Sequence, residues 1–283
     1  MRFGVVILPD ARWPAARERW VAAEALGFDH AWTYDHLTWR SLRDGPWFGA
    51  VPTLAAAALA TTRIRLGTLV ASPNFRHPVP FAKELMSLDD LSGGRLTAGL
   101  GAGGSGFDAT ALGQEPWSPR ERADRFEEFV TLLDRLLTQR ATSHEGRFYS
   151  AREARAVPGC VQQPRLPFAI AAEGPRGMRL AASLGESWVV VDGRGDAGER
   201  IRRMLDASVA AGRDPATLGR VVLLGFRERP LASVEAFRDS AGRYAEMGFT
   251  DLVVHWPRPA DPFAEASGVL ERIAAEVLAG RGS

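Results

Sequence analysis

Short apolar runs recur along the whole chain, and stretches with apolar residues at helical spacing separate most of them. This alternation is typical of repeated βα units and a parallel sheet. The predicted strands are residues 3–8, 30–34, 64–70, 96–102, 168–172, 187–191, 221–226 and 251–256. Eight strands that are apolar on both faces can close into a barrel without an exposed edge. The sequence therefore predicts an α/β fold in which residues 1–283 form a single (β/α)8 TIM barrel.

The predicted helices carry ordinary start and stop signals. Pro14 begins the first helix and Gly27 ends it, while Pro175 and Gly185 bound a later one. The rhythm breaks once, because an insertion of approximately residues 104–165 follows the fourth strand. Residues 120–137 of this insertion are a predicted helix, and a turn with short strands follows. Above the C-terminal face of a barrel, such an insertion would form a lid or a substrate wall.

Composition excludes several classes of partner and site. Lys and Arg number 35 against 34 Asp and Glu, and without a run of like charge we expect neither nucleic acid nor a membrane as partner. The apolar run before Pro9 is too short for a signal peptide or a membrane span, so we expect a cytoplasmic protein. The single cysteine, Cys160, excludes an intrachain disulfide framework, and His30, His144 and His255 lack ligand-spaced partners. No metal is therefore expected.

In a barrel of this kind, function lies at the C-terminal strand ends. Asp35 and His36 directly follow the second predicted strand, and imidazole can donate or accept a proton near neutral pH. We therefore predict that this pair is catalytic. The alternative is a histidine at the barrel mouth that binds only a neighbouring loop carbonyl.

Two glycine-containing segments are candidate ligand-binding loops. Residues 99–106, GLGAGGSG, contain G-x-G-x-x-G twice, but they follow the fourth strand and no helix begins directly after them, so a dinucleotide site is disfavoured. Close backbone approach to a flat ring system is the preferred interpretation, and a flexible turn is the alternative. Glu173, Gly174, Pro175 and Gly177 lead into a helix whose free amides can bind a phosphate.

Aromatic residues near predicted strand ends suggest the substrate wall. Trp39 and Trp256 are candidates, together with Phe107 and Asp108 from the start of the insertion. Such a wall favours an organic molecule with apolar area over a polyphosphate or a sugar acid. The alternative role for many of the tryptophans is core packing.

These motifs together resemble the bacterial luciferase-like superfamily, in particular its branch that uses the deazaflavin coenzyme F420. The resemblance lies in GFDHAWTYDHL (27–37), RIRLGTLVASPNFRHPVPFAKELMSLDDLSGGRLTAGLGAG (63–103), AAEGPRGMRLAASLGESW (171–188) and EMGFTDLVVHWP (246–257). The segments span the barrel in order. The middle one is the most specific, because its Gly-Thr, RHP and SGGR are arranged as in that family.

The resemblance implies where a cofactor would bind. The ring would lie across Leu69, Val70, Ala71 and Ser72, where family members carry a bulge with a non-prolyl cis peptide. Gly101, Ala102 and Gly103 match the ring-side loop, and Gly174 to Gly177 match the phosphate-binding turn. Ala172 and Glu173, directly before this turn, are further candidates, although Glu173 stands where family members often carry glycine. Asp35 and His36 match the family's Asp-His pair, so His36 would handle the proton in hydride transfer.

One departure from the family pattern bears on the substrate. Sugar-phosphate dehydrogenases of this family carry a glutamate where this chain has Gly104 and Ser105, so sugar-phosphate oxidation is disfavoured.

The resemblance leaves three functions open. The first is an F420-dependent reductase or dehydrogenase that transfers a hydride between C5 of the deazaflavin and a small organic substrate. The second is a two-component monooxygenase that uses FMN, and the third is a non-catalytic flavin-binding relative. We prefer the first, because the compact chain and the RHP segment look more like that branch. Family members are often homodimers, so we expect a homodimer, with a separate cofactor reductase as a further candidate partner.

Overall fold

The computed structural model describes residues 1–104, 107–193, 195–266 and 268–281. Ser105 and Gly106, which belong to the predicted glycine-rich loop, therefore lie outside the described residues. Among the helices of the described part, none is long and apolar enough to cross a membrane.

Eight parallel strands form a closed barrel in this part of the chain, which confirms the predicted fold. The strands are β1 (Arg2–Val6), β2 (His30–Thr33), β3 (Arg65–Thr68), β4 (Leu96–Gly101), β7 (Phe168–Ala171), β8 (Ser187–Val191), β9 (Gly219–Leu223) and β10 (Asp251–His255), and a separate hairpin consists of β5 (Ala141–Glu145) and β6 (Ser150–Arg155). Around the barrel the order is β1-β2-β3-β4-β7-β8-β9-β10, and β10 pairs with β1. Every predicted strand is present, with ends that differ by a few residues.

Helices surround the barrel. They are α1 (Trp13–Ala25), α2 (Ala50–Ala60), α3 (Pro78–Leu91), α4 (Phe107–Ala111), α5 (Pro119–Thr138), α6 (Pro175–Leu184), α7 (Ala197–Ala210), α8 (Val234–Glu246) and α9 (Val269–Ile273). The predicted start and stop signals function as expected: Pro14 and Pro175 lie in first turns, and Gly27 has a left-handed φ of 86° after α1. His77 caps α3, where its Nδ1 accepts a hydrogen bond from the Val79 N–H at 3.2 Å.

Two apolar layers hold the fold together. Inside the barrel, every second strand residue points inward, and this layer comprises Val6, Leu8, Trp32, Tyr34, Leu69, Ala169, Val189, Val221, Leu223 and Val253. Between strands and helices lies a larger layer that includes Phe81, Phe129, Phe168, Trp188 and Phe237, all essentially inaccessible to solvent. Full burial stabilises each such side chain by roughly 1.5–3 kcal/mol. The rigid wall that results fixes the positions of the loops at its C-terminal end.

The segment after β4 differs from its prediction. Helix α5 packs between α3 and α6 and so occupies the position of an ordinary barrel helix. The hairpin lies beside α5: Glu128 accepts hydrogen bonds from the backbone of Phe148 and Tyr149, and the Tyr149 ring packs edge-on against His77. The predicted lid is therefore wrong for residues 141–155, because their apolar side chains pack on the outer helices. The start of the segment reaches the barrel mouth, where Asp108 contacts His36.

Candidate active site

His36 and Asp108 form a hydrogen-bonded pair at the C-terminal ends of the strands. Nδ1 of His36 lies 2.8 Å from Oδ2 of Asp108, and the backbone N–H of Leu37 donates to Oδ1 at 2.8 Å. Burial raises the pKa of Asp108, but the hydrogen bond and charge of His36, with the further donors, bring that pKa below its usual value. Because an ionised carboxylate can only accept, Nδ1 of His36 carries the proton in this bond.

The second ring nitrogen of His36, Nε2, has no hydrogen-bond partner among the described residues. The side chain is 27% exposed, and Trp47 fixes its backbone, since Nε1 of Trp47 donates to the His36 carbonyl at 2.9 Å. The imidazole is thus anchored on one side and open on the other. Nε2 can therefore accept a proton from a bound molecule or donate one to it.

Asp35 has a different role from the predicted one. Its two oxygens accept from Nη2 and Nε of Arg76 at 2.8 and 2.9 Å, and Arg76 also contacts Glu84 at 2.7 Å. Burial lowers the pKa of Arg76, but these carboxylates bring it above its usual value. The prediction that Asp35 acts with His36 is corrected, because both oxygens of this buried carboxylate already bind Arg76. Asp35 holds the loop after β3 instead.

A bulge interrupts the pairing of β3 with β4. Gly67 pairs with Thr97, whereas Ala71 bridges Leu100, so the β3 side has one residue more than the β4 side between these points. The Leu69–Val70 peptide bond within this stretch is cis. Both features are those implied by the resemblance to the luciferase-like superfamily.

The glycines after β4 serve contacts within the protein. A Cβ on Gly101 would lie 2.5 Å from Cγ2 of Val70, and one on Gly103 would lie 2.5 Å from Oδ1 of Asn74. Gly103 also has a φ of 73°, which favours glycine. Close approach of a flat ring to this loop stays a prediction, and the structure adds that β3 and Asn74 themselves approach Gly101 and Gly103 closely. Nδ2 of Asn74 donates to the Gly104 carbonyl at 3.3 Å, which connects the loops after β3 and β4.

The predicted cofactor-binding residues fall into two groups. Those with accessible surface are Val70, Ala102, Gly103, Glu173, Gly174, Pro175 and Gly177. Those that are buried are Leu69, Ala71, Ser72, Gly101 and Ala172. The buried group supports the surface formed by the first group and offers a ligand little area of its own.

The start of α6 provides free backbone donors. Its N-cap is Gly174, without a side-chain cap, whereas Ser118, Asp196 and Ser233 cap α5, α7 and α8 with their side chains. A Cβ on Gly174 would meet nothing within 4 Å. Glu173 lies beside this turn, but Nη1 of Arg200 contacts its carboxylate at 3.2 Å. The uncapped amides and the helix dipole can therefore bind an anion.

The predicted substrate residues occupy four different environments. Trp39 is buried against Tyr34, Trp47 and Phe263, and Phe107 is exposed at the rim. Asp108 is buried and holds His36, so its assignment to the substrate wall is corrected. Trp256 packs against the layer between strands and helices, which corrects its assignment too.

Sequence reasoning missed His255. This residue points into the barrel, because successive side chains on a strand face opposite sides and its neighbour Trp256 faces outward. Its Nδ1–H donates to the Leu224 carbonyl at 3.0 Å, and Tyr34 Oη donates to Nε2 at 2.7 Å. Burial lowers the pKa of His255 to about 3, so the ring is neutral at physiological pH. Apolar alternation could have indicated its direction but not its Tyr34 partner.

No group of three or more metal-ligating side chains occurs within the described ranges.

These features define a (β/α)8-barrel protein with a candidate site at the C-terminal strand ends. Residues 1–269 match the family described as luciferase-like monooxygenase. The chain therefore belongs to the luciferase-like monooxygenase family.

Two relatives and one solved structure extend this comparison. The F420-dependent hydroxymycolic acid dehydrogenase of Mycobacterium tuberculosis is 30% identical over 266 residues, which cover 92% of this chain and 70% of that protein. The F420-dependent glucose-6-phosphate dehydrogenase of Beutenbergia cavernae is 37% identical over 180 residues, 62% of this chain and 52% of that enzyme. The match thus spans about half the length of the latter relative. The coenzyme F420-dependent tetrahydromethanopterin reductase of Methanopyrus kandleri superposes with a TM-score of 0.81 over 99% of both chains, at 18% identity, which establishes a common fold.

Proposed function

We propose that this chain is an F420-dependent oxidoreductase that transfers a hydride between the coenzyme and a small organic substrate. The observation that carries the proposal is the His36–Asp108 pair, which leaves Nε2 of His36 without a protein partner at the barrel mouth. When bound, F420 supplies a ring carbon that accepts or delivers the hydride. The dehydrogenase relatives support the choice of coenzyme.

The His36–Asp108 pair handles the proton that accompanies the hydride. Asp108 keeps the proton on Nδ1 of His36, so Nε2 presents a lone pair toward the site when the ring is neutral. In substrate oxidation Nε2 takes the hydroxyl proton, and in reduction the protonated Nε2 returns it. Asp108 stabilises the charge that the ring gains in the first case.

The chain fits the coenzyme on one side of the mouth. Val70, Ala102 and Gly103 form an accessible surface on the loops after β3 and β4, adjacent to the Asn74–Gly104 hydrogen bond. The start of α6, after β7, offers its uncapped amides to the phosphate of the coenzyme. Because β3, β4 and β7 are consecutive around the barrel, the ring and phosphate sites would be neighbours. Arg200 binds Glu173 and reduces its repulsion of a phosphate.

The second candidate function is a two-component monooxygenase that uses FMN, and the family description itself favours it. The same surface can hold either ring, since both are planar tricyclic systems. A non-catalytic flavin-binding relative has the least support, because His36 and its carboxylate are both in place. A homodimer and a separate reductase that supplies reduced cofactor stay predictions.

Titration of the purified protein with F420 and, separately, with FMN tests the proposal. Quenching of cofactor fluorescence gives a dissociation constant for each. Micromolar or tighter binding of F420 with much weaker binding of FMN is expected. The reverse preference would favour the monooxygenase and direct the assay to oxygen uptake, and binding of neither would sink both functions.

A further inference from the structure

Four aromatic side chains pack against one another on the side of the mouth opposite the proposed coenzyme site; Trp39 is buried, whereas Trp47, Phe226 and Phe263 are half-buried. This aromatic shelf consists of Trp39, Trp47, Phe226 and Phe263. Trp39 stacks on Trp47 with ring centroids 6.1 Å apart and on Phe263 at 6.0 Å, and Phe226 meets Phe263 edge-on at 5.4 Å. The shelf joins the loops after β2, β9 and β10, which are consecutive with β1 around the barrel.

Arg40 lies on this shelf. Its guanidinium carbon is 5.2 Å from the centroid of the Trp39 ring and 5.3 Å from that of Phe226. The charge also reaches the buried Tyr34, where it opposes the effect of burial, which raises the pKa of that phenol. Arg40 thus lies at the mouth beside Trp39 and Phe226, four residues after His36.

Within the described ranges, Arg40 and the exposed Arg227 of the loop after β9 have no carboxylate partner, whereas other arginines of the mouth do. Arg76 binds Asp35 and Glu84, Arg200 binds Glu173, and Arg258 binds Asp10 at 2.7 Å. Arg43, on the same loop as Arg40, has Asp44 at 3.6 Å. An exposed guanidinium held over aromatic rings keeps all of its N–H donors available for a planar anion.

The rim around the shelf is apolar as well. Leu37, Phe48 and Phe107 are among the large hydrophobic side chains that are exposed in the described part of the chain, at 37–42%. Exposed apolar side chains that cluster at a cleft are typical of a ligand-binding surface. A substrate that covers them needs apolar area in addition to its charge.

We propose that the substrate of this site is a planar, largely apolar molecule with one carboxylate or similar planar anionic group, which Arg40 binds while the aromatic shelf holds the body. This inference rests on the proposed function, because it places the substrate opposite the F420 surface with His36 between them. Guanidinium and carboxylate match in two parallel hydrogen bonds, which fixes the orientation of the substrate toward Nε2 of His36. A neutral analogue keeps the stacking contacts and loses the anchor.

Calorimetric titration of the full chain saturated with oxidised F420 tests the proposal with three probes. They are 2-naphthoate, its neutral isostere 2-naphthamide, and the non-planar cyclohexanecarboxylate. We expect 2-naphthoate to bind about tenfold more tightly than either other probe, as one charge-assisted contact or one lost stacking surface predicts. F420 should stay bound throughout, as its fluorescence would report.

Two substitutions on one loop identify the cation. Arg40→Gln should weaken 2-naphthoate binding about tenfold and change 2-naphthamide binding less than twofold. Arg43→Gln, which removes the same charge three residues away, should change neither by more than about twofold, because exposed charges beyond direct contact are screened. Unchanged 2-naphthoate binding by Arg40→Gln, an equal loss in Arg43→Gln, or displacement of F420 by 2-naphthoate would each overturn the proposal.

The outcome for the coenzyme is separable from the outcome for Arg40. If F420 fails to bind, the proposed function fails, and the same three probes titrated into the free chain and its Arg40→Gln variant still decide whether Arg40 anchors a planar anion. If F420 binds and the probes show no dependence on Arg40, the proposed function stands and the inference is wrong.

Discussion

Two histidine–aspartate pairs lie at opposite ends of the same barrel, and they are used differently. His30 and Asp251 meet at the N-terminal ends of β2 and β10, with Nε2 of His30 3.0 Å from Oδ1 of Asp251. His36 and Asp108 meet at the C-terminal ends, at 2.8 Å. Both carboxylates are buried, but the side chain of His30 is 7% exposed and that of His36 is 27% exposed.

The lower pair, His30 and Asp251 at the N-terminal end, has protein hydrogen-bond partners for both ring nitrogens and for the carboxylate. Nδ1 of His30 accepts from Trp32 Nε1 at 2.6 Å, and Asp251 also accepts from Arg2 at 2.9 Å. Gly4 leaves the space, since a Cβ there would lie 2.0 Å from the His30 ring. The upper pair leaves Nε2 of His36 open. The comparison teaches that a buried His–Asp pair stabilises the fold when each polar atom has a protein partner, and is available for chemistry when one atom is left for a ligand.

The largest expected effect is on turnover at the upper end. His36→Ala should lower turnover by roughly 100-fold or more, because the proton then has no acceptor at Nε2, while F420 affinity stays within about twofold. Turnover is followed as the change in F420 absorbance with a substrate found by screening. His144→Ala is the matched control, since His144 pairs with Glu128 on the outer hairpin. Unchanged turnover in His36→Ala would mean that the His36–Asp108 pair has no catalytic role that distinguishes it from the His30–Asp251 pair.

The lower pair should affect stability instead. Burial raises the pKa of Asp251, but His30, Arg2 and Thr250 bring it to about 2, so the carboxylate stabilises the folded state above the unfolded pKa near 3.8 and loses this effect as pH falls toward 2. Asp251→Asn should lower the free energy of unfolding by about 2 kcal/mol at pH 7. Urea denaturation at several pH values should show the difference from wild type shrink below about pH 4.

The exposed Asp239→Asn is the control for this prediction, because it removes a carboxylate without a buried partner. A loss in Asp251→Asn that stays constant from pH 7 to pH 3 would assign the effect to packing rather than to the ionised pair.

The two ends also mark what the sequence could predict. Apolar periodicity located all eight strands, because burial on both faces is a local property of each segment. It placed the end of the third strand too late, at Val70, where the bulge after Thr68 interrupts the ladder. Position after β2 correctly placed His36 at the C-terminal strand ends, while its catalytic role stays a prediction; the resemblance to a family implied the cis peptide that the structure contains.

Side-chain partners were beyond the same reasoning. Asp108 lies 72 residues from His36 and Arg76 lies 41 residues from Asp35, so no local pattern connects either pair. Adjacent Asp35 and His36 suggested a partnership that backbone geometry separates. Trp256 was predicted to line the substrate wall because it lies near a strand end, although alternation along β10 turns it away from the barrel interior.

A smaller effect should follow from removal of the carboxylate that holds His36. Asp108→Asn should lower turnover about tenfold, because the amide cannot stabilise a charged imidazole and can turn a donor toward Nδ1. The double variant with His36→Ala should be no slower than His36→Ala alone, since Asp108 acts only through that ring. Kinetics of both variants at saturating F420 measure this. If the fold-losses in turnover of the two single variants multiply in the double variant, Asp108 has a role independent of His36.

The smallest expected effect tests whether the backbone amides at the start of α6, like Nε2 of His36, lack a protein partner because they bind a ligand. Gly174→Asp places a carboxylate at the uncapped N-terminus, where a Cβ meets nothing within 4 Å and Asp is a favoured N-cap. The melting temperature should therefore stay equal or rise, while F420 binding weakens about fivefold through loss of the amides and charge repulsion. Gly49→Asp makes the same change at the uncapped start of α2. Because β3 and β4 lie between β2, which precedes α2, and β7, which precedes α6, this change should leave F420 affinity unchanged. Equal F420 affinity in Gly174→Asp and wild type would show that the phosphate does not bind at the start of α6. Among the described residues, Nε2 of His36 would then be the one group without a protein partner to which the comparison of the two pairs still assigns a ligand.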